Sequence, residues 1–307
     1  MTTTLQNPVQ FLNVCAAVSG LTAQEQAAFA QGIAAPEAIV NLDGVGLHIA
    51  WDVTRSRSSK TDDGTVTIKN LSQAFRRDAY AAWQNASGSY RVGVHIGWGS
   101  EVHLVMAGDC WEFQPEVRAG EDILTTLRFG EGQRPIVEST IDTPKQYAFE
   151  AGQATVLWLV VQDMFNQLGL KIDPSMQAPF AQAVTATPLA AGGSWVFAGE
   201  LTSNLNDLLD TFGLEWKVIN GLVVFLRRGV TASSQAPVAV LLNAVTGLLD
   251  WALVDGGVEC LALAQPAMVP GTQIIVQDAF GAPVGAPGFR VETVRFSGQT
   301  DGESLMT

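Results

Sequence analysis

Residues 196–228 read VFAGELTSNLNDLLDTFGLEWKVINGLVVFLRR, and the reading of this stretch decides the fold. Leu201, Leu205, Leu208, Leu209 and Phe212 recur at the three-to-four spacing of one helical face. Thr202 or Ser203 offers a hydroxyl to the free N–H groups of the first turn, and Gly213 suits the left-handed position just past a helix end. Leu214, Trp216 and Val218 then alternate as a half-buried strand does. Asn220-Gly221 tolerates the positive φ angles of a two-residue hairpin loop, and residues 222–226 return as a second strand. The stretch predicts a helix followed by a hairpin.

A weaker copy of the unit lies upstream in residues 151–172, AGQATVLWLVVQDMFNQLGLKI. Leu157, Val161, Met164, Phe165 and Leu168 form a helical stripe, and Gly169-Leu170 matches Gly213-Leu214. Helix ends often carry Gly, so the match predicts the local structure without requiring a duplication. Two such units predict a compact α/β module at 151–229, with two helices on a short sheet.

The chain around this module has a different texture. At 307 residues it is long enough for two or three domains, and 47% apolar content supports real cores. Charged residues make up only 15%, against 30 Gly and 13 Pro, a mix that fits short strands joined by tight turns. Sparse charge also fits a surface that meets other subunits, as interface cores are depleted of charge; a sparsely charged soluble protein is the plainer reading. The net charge of −13 argues against gripping nucleic acid or an anionic membrane, both of which need a basic patch. Only Arg290 and Arg295, among 17 basic residues, follow residue 229, so the C-terminal region is acidic. Cys15, Cys110 and Cys260 are odd in number and far apart, which predicts three free thiols and a reducing site of synthesis. No Lys or Arg precedes Arg55, so a signal-peptide start is not expected. Apolar runs such as 154–161 are too short to span a bilayer, so no membrane segment is expected.

Residues 1–37 read as a helical arm. Val9, Leu12, Val14 and Ala16 are the apolar positions of a first helix, Thr22 followed by Glu25 is a capping box, and 27–33 is a second helix. From residue 38 the period changes to two. Strands are predicted at 47–54, 64–70, 90–97, 101–106, 112–118 and 123–129, with a helix or turn at 72–85 capped by Ser72 and carrying Phe75, Ala79, Ala82 and Trp83. This is a first β-barrel domain at 38–150, its last residues 133–150 linking onward. Residues 231–237 form a linker. A second β-domain at 236–307 has strands at 239–242, 258–263, 273–278 and 289–297, and may borrow strands from 133–150.

The residues that carry chemistry are few. His95 and His103 flank the hairpin loop at 97–100; an even-length loop puts them on opposite faces of the sheet, poor for a shared metal, whereas an odd-length loop or a bulge reverses this, and His48 stands apart. No metalloprotease, serine-hydrolase or phosphate-loop motif occurs. Glycan hydrolysis needs two carboxylates about a sugar, so Asp62, Asp63, Glu131 and Glu200 are the acids to weigh. The first three read as solvated turn residues and Glu200 as a helix-start charge. Trp83, Trp98 and Trp111 are candidate sugar-stacking rings but more often core or interface. No catalytic residue, cofactor site or metal site is assigned.

Four segments in this order resemble the tail hub proteins of bacteriophages. They are DGTVTIKNLS at 63–72, AGEDILTTLRFGEG at 119–132, the helix with GLEWKVINGLVVFLRRG and the following LLNAVTGL at 241–248, and FRVETVRFSGQTDG at 289–302. Residues 1–40 match no part of the pattern, and Phe296 stands where the family often has a polar ring. The resemblance implies an α+β, mainly β fold: two tail-tube-like antiparallel β-barrel domains, an inserted α/β module and an N-terminal arm. It implies a homotrimer that joins the six-fold tail tube to the three-fold central spike, six barrels from three chains imitating the hexamer. Implied partners are the tail tube protein, the spike, other baseplate or tail-tip proteins and the tape measure protein, with genomic DNA passing through the lumen unbound. The implied place is the virion tail, after synthesis in the host cytoplasm. The alternatives are a tail-associated cell-wall glycan hydrolase and a carbohydrate- or receptor-binding β-protein.

Overall fold

The computed structural model describes residues 8–16, 39–42, 48–57, 61–85, 90–98, 101–131, 140–149, 154–187, 193–219, 221–228, 240–285 and 288–299. Two compact units divide the chain: Met1–Glu131 with Ala239–Thr307, and Gly132–Val238 between them in sequence.

The first unit opens with β1 (Pro8–Ala16), β2 (Ile39–Leu42), β3 (His48–Ser56) and β4 (Asp62–Lys69), then α1 (Gln73–Asn85), β5 (Tyr90–Trp98), β6 (Glu101–Ala119) and β7 (Asp122–Glu131). These strands run antiparallel to their neighbours in the order β3-β4-β7-β6-β5-β1-β2. Burial in β3 alternates strictly, so Ile49, Trp51 and Val53 enter the core while Ala50, Asp52 and Thr54 face away. Asn70 ends β4 at φ 54°, its Oδ1 accepts from Ile123 N–H at 3.0 Å, and Leu71 drops into the core. Ser72 Oγ then accepts from Phe75 N–H at 3.3 Å and starts α1, so Asn-Leu-Ser acts as punctuation between strand and helix. Gly64 lies under Phe129, where a Cβ would stand 2.5 Å from the ring. Residues 101–119 form one strand rather than the two expected, irregular at Cys110/Glu112 and Gln114/Val117, and Pro115 is accommodated at the second irregularity.

The helical reading of the arm is corrected at residues 8–16, which form β1 and pair with β5 from Pro8↔Trp98 to Ala16↔Tyr90. Leu12, Val14 and Ala16 recur at every second position, a strand period that the presence of Val9 and Leu12 disguised as a helical one. The capping box at Thr22 and Glu25 and the helix at 27–33 lie outside the described residues.

The second unit contains β8 (Thr140–Phe149), α2 (Ala154–Gln167), β9 (Lys171–Ile172), α3 (Gln177–Ala186), β10 (Gly193–Glu200), α4 (Leu201–Thr211), β11 (Leu214–Ile219) and β12 (Leu222–Arg227). Both helix–Gly–Leu–strand junctions form: Gly169 has φ 71° and Gly213 φ 64°, and Leu170 and Leu214 are buried just beyond them. The strands that follow flank β12, β9 parallel to it and β11 antiparallel. Strand β8, expected to belong with 38–150, pairs with β10 in this unit. The helix of the opening stretch starts at Leu201, because residues 196–200 finish β10. Its N-terminal contacts are also reversed from expectation: the hydroxyls of Thr202 and Ser203 donate to the Glu200 carboxylate, at 2.6 and 3.0 Å. Those two bonds hold the Glu200 carboxyl below its usual range. Helix α3 was not anticipated, yet its Phe180 is fully buried among Trp158, Phe225 and Phe212, with ring centroids 5.5, 5.7 and 6.2 Å away.

The chain then returns to the first unit with β13 (Val240–Leu242), β14 (Leu248–Val254), β15 (Gly257–Ala262), β16 (Gln273–Val276), β17 (Phe289–Arg290) and β18 (Thr293–Gln299). Strand β18 pairs with β3, from Thr293↔Ser56 to Gln299↔Ala50, and completes an eight-stranded sheet. Strands β13, β16 and β17 make a small sheet, and β14 with β15 a two-stranded ribbon. The expectation of two closed barrels is corrected here. None of these sheets closes, and Leu242, Met268, Ile274, Val294 and Phe296 share one apolar cluster with Trp51, Val66 and Phe129. The C-terminal strands therefore share a core with the earlier strands rather than forming one of their own.

Phe180→Ala removes the ring at the centre of the second core and is expected to cost about 3–5 kcal/mol, read as a lower urea midpoint by tryptophan fluorescence.

Candidate functional site

Three charged side chains meet inside the first unit. Arg55 on β3 occupies an inward position of the alternation that buries Ile49, Trp51 and Val53. Its Nε donates to Asp62 Oδ2 at 3.1 Å, Nη2 to Glu131 Oε2 at 3.0 Å and Nη1 to the Val105 carbonyl at 2.9 Å. Asp62 and Glu131 are Cα partners across β4 and β7, and Asp62 Oδ1 also accepts from Ser56 N–H at 3.1 Å. All three side chains are at most 1% exposed. The reading of Asp62 and Glu131 as solvated turn acids is therefore corrected. The structure brings two carboxylates together, but it buries both and commits both to one guanidinium, an arrangement that ties β3, β4, β6 and β7 and admits no sugar. Asp63, next along β4, points outward and is exposed. The signal for the cluster was present in the sequence: an arginine at an inward position of a strand demands carboxylate partners.

The remaining sequence candidates do not converge. His103 pairs with Ile96 and His95 with Leu104, ladder positions of opposite parity. Among the described residues no group of three His, Cys, Asp or Glu side chains is placed to hold a metal. Trp83 is half-buried, stacks on Tyr80 at 5.6 Å and donates its indole N–H to the Cys110 carbonyl at 2.9 Å, whereas Trp111 is exposed. Cys110 and Cys260 are free thiols. Burial pushes the Cys110 thiol up to about 12, and Sγ donates to the Glu112 carbonyl at 3.3 Å.

The outward face of the eight-stranded sheet is a second feature. Rows of direct partners run across it: Ser297, Asp52, Thr65, Arg128 and Glu112 in one, Gln299, Ala50, Thr67, Thr126 and Gln114 in the next. The surface is rich in threonine and serine, and each cation on these strands meets a carboxylate. Arg295 Nε lies 2.8 and 3.1 Å from the two oxygens of Asp52, a pairing that raises the guanidinium's affinity for its proton. Arg128 Nη1 lies 3.1 Å from Glu112, and Lys69 Nζ 3.8 Å from Asp122. Such a face is wet yet, among the described residues, its Arg and Lys side chains are paired rather than offered to a polyanion. Its outer strands, β18 and β2, have no further strand beside them among the described residues.

Two outcomes test this description. Arg55→Met leaves Asp62 and Glu131 buried without their partner and is expected to cost about 3–5 kcal/mol in chemical unfolding. At pH 8 the folded protein should show no reaction of Cys110 with an aromatic disulfide reagent, while the urea-unfolded chain reacts there fully; tryptic mapping of the labelled thiol reads the difference.

No protein-family model matches the chain, and no curated protein sequence does. Among solved structures, the 43 kDa tail protein of prophage MuSo2 from Shewanella oneidensis is similar, with TM-score 0.51 and 11% identity, over 85% of this chain and 96% of that one. A tail protein from Neisseria meningitidis MC58 is similar with TM-score 0.51 and 10% identity, over 85% and 94%. The resemblance read from four short segments thus holds at the level of the fold, which is a fold of phage tail proteins.

Proposed function

We propose that the chain is a structural hub of a phage tail or baseplate. The observation that carries this reading is the fold match to two tail proteins along 85% of the chain. In this reading three copies form a ring between the six-fold tail tube and the three-fold central spike, within the virion tail, after synthesis in the host cytoplasm. The tube protein, the spike, further baseplate or tail-tip proteins and the tape measure protein are its neighbours.

The outward face of the eight-stranded sheet supports a role as channel lining. DNA that must pass without sticking needs a hydrated surface with no unpaired cations, since each free Lys or Arg that meets a phosphate adds affinity by counterion release. The outer strands β18 and β2, which have no further strand beside them among the described residues, support assembly, because a sheet edge can accept a strand from a neighbour. No observation favours the glycan hydrolase, whose two best acids share one buried arginine.

Antibody raised against the chain is expected to label purified tails at one end of the tube in electron micrographs; label on fibres, or none, contradicts the reading. The lining makes a separate prediction. Asp52→Asn with Glu112→Gln frees Arg295 and Arg128 and is expected to create double-stranded DNA binding that weakens steeply with added salt in a gel-shift titration, where the wild type shows none.

A further inference from the structure

Most of the large apolar side chains that are exposed among the described residues fall within residues 240–285. Val245 is 94% and Phe280 96% exposed, and both sit on turns fixed by side chains. Asn243 Oδ1 accepts from the N–H groups of Val245 and Thr246, and Asp278 Oδ1 from those of Phe280 and Ala282, all at 2.9 Å. The turns leave the same end of parallel neighbours β13 and β16, where Asn243 Nδ2 donates to Gln277 Oε1 at 3.1 Å. Gln265 Nε2, just past β15, donates to the Thr246 carbonyl at 2.7 Å and ties the β14–β15 ribbon to that end.

The ribbon has two unlike faces. Direct partners in an antiparallel pair share a face, and successive rungs alternate between faces. Trp251 with Cys260 and, two rungs on, Val258 pack against the core. The rungs between put Asp250 opposite Leu261 and Ala252 opposite Glu259 on the other face, and all four are exposed. The register thus sets two carboxylates among apolar side chains, beside the turns that carry Val245 and Phe280. The ordering cost of this surface is met before any partner arrives.

Charge selects the partner. Residues 240–285 contain no Lys, Arg or His, and Asp250, Asp255 and Glu259 join no ion pair among the described residues. The sheet behaves differently, since Arg55, Arg128 and Arg295 each meet a carboxylate there. Residues 1–239 hold 15 basic side chains against 23 acidic ones, so a second copy of this chain brings like charge. A nucleic acid or an anionic bilayer does the same. The complement of apolar groups set among uncompensated carboxylates is a polypeptide with Lys or Arg set among apolar side chains.

We propose that the face formed by the 243–246 turn, the 278–281 turn and the outer side of the β14–β15 ribbon docks a basic, apolar segment of a different protein. This goes beyond the hub reading and does not depend on how many copies form the ring. The probe is a short fluorescent peptide of alternating Lys and Leu, titrated with the full chain and read by anisotropy. Wild type is expected to bind it, more weakly as salt is added. Val245→Ser/Phe280→Ser removes the apolar half of the match and Asp250→Asn/Glu259→Gln the charged half. Each pair should weaken binding by roughly tenfold or more, as should replacing Lys by Glu or Leu by Ser in the peptide. All four side chains are exposed, so the melting midpoint should stay unchanged. No binding, or binding that neither pair of substitutions weakens, overturns the proposal. So does self-association in sedimentation velocity that Val245→Ser/Phe280→Ser abolishes, which makes the occupant a second copy. Flotation with phosphatidylcholine vesicles that is lost in the same variant overturns it in favour of lipid. None of these failures touches the hub reading, which the labelled micrographs test separately.

Discussion

Arg55 is the constraint on which the first unit turns. Its guanidinium joins side chains of β4 and β7 and a carbonyl of β6 to β3, in a place that water does not reach. A buried ion cluster of this kind adds little net stability compared with apolar packing, but it is costly to break. What it constrains is register. Sliding any of these strands by one residue would turn Arg55, Asp62 or Glu131 outward and strand the others, while the apolar set would move to the wet face. The two faces of the sheet therefore keep separate jobs. One face, with Trp51, Val66 and Phe129, packs against the C-terminal strands, and the other stays polar with its cations paired.

Much of this was legible in the sequence because local chemistry and tertiary packing agree. The leucine stripe of 201–212, the left-handed glycines at 169 and 213 and the hairpin of β11 and β12 follow from spacing and φ preference alone. So does Ser72 as a helix cap. The misreadings fall where a local pattern serves two structures or where distant partners decide. Residues 8–16 fit either period, and pairing with β5 settles them as a strand. Asp62 looks like a turn acid until Arg55 across the β3–β4 pair and Glu131, remote in sequence, close on it. Helix α3 has a faint apolar face, and Phe180 earns its place only through rings from α2, α4's end and β12. The polar sheet face could not be seen at all, since it is assembled from strands up to 243 residues apart, as in the pair of Arg295 with Asp52.

The two-barrel expectation failed because the C-terminal strands share the core and the sheet of the N-terminal ones. The C-terminal strands supply Leu242, Ile274, Val294 and Phe296 to a cluster they do not own, and β18 extends the sheet of the N-terminal strands. Phe296, a departure from the family pattern, is fully buried there and serves that shared core. The same return of the chain leaves residues 240–285 with an inner side in the core and an outer side of bare apolar groups and carboxylates. The first unit thus has a dry interior, a wet sheet face and an outer surface at 240–285 that is apolar and acidic.

The proposed function has this chain form a three-membered ring whose polar sheet face lines the passage for DNA. A reconstruction of the tail tip by electron cryomicroscopy tests it most directly. The account predicts three copies at the junction of tube and spike, with Thr65, Thr67 and Thr126 facing the axis. Six copies per ring, or that threonine-rich face turned away from the axis, would contradict it.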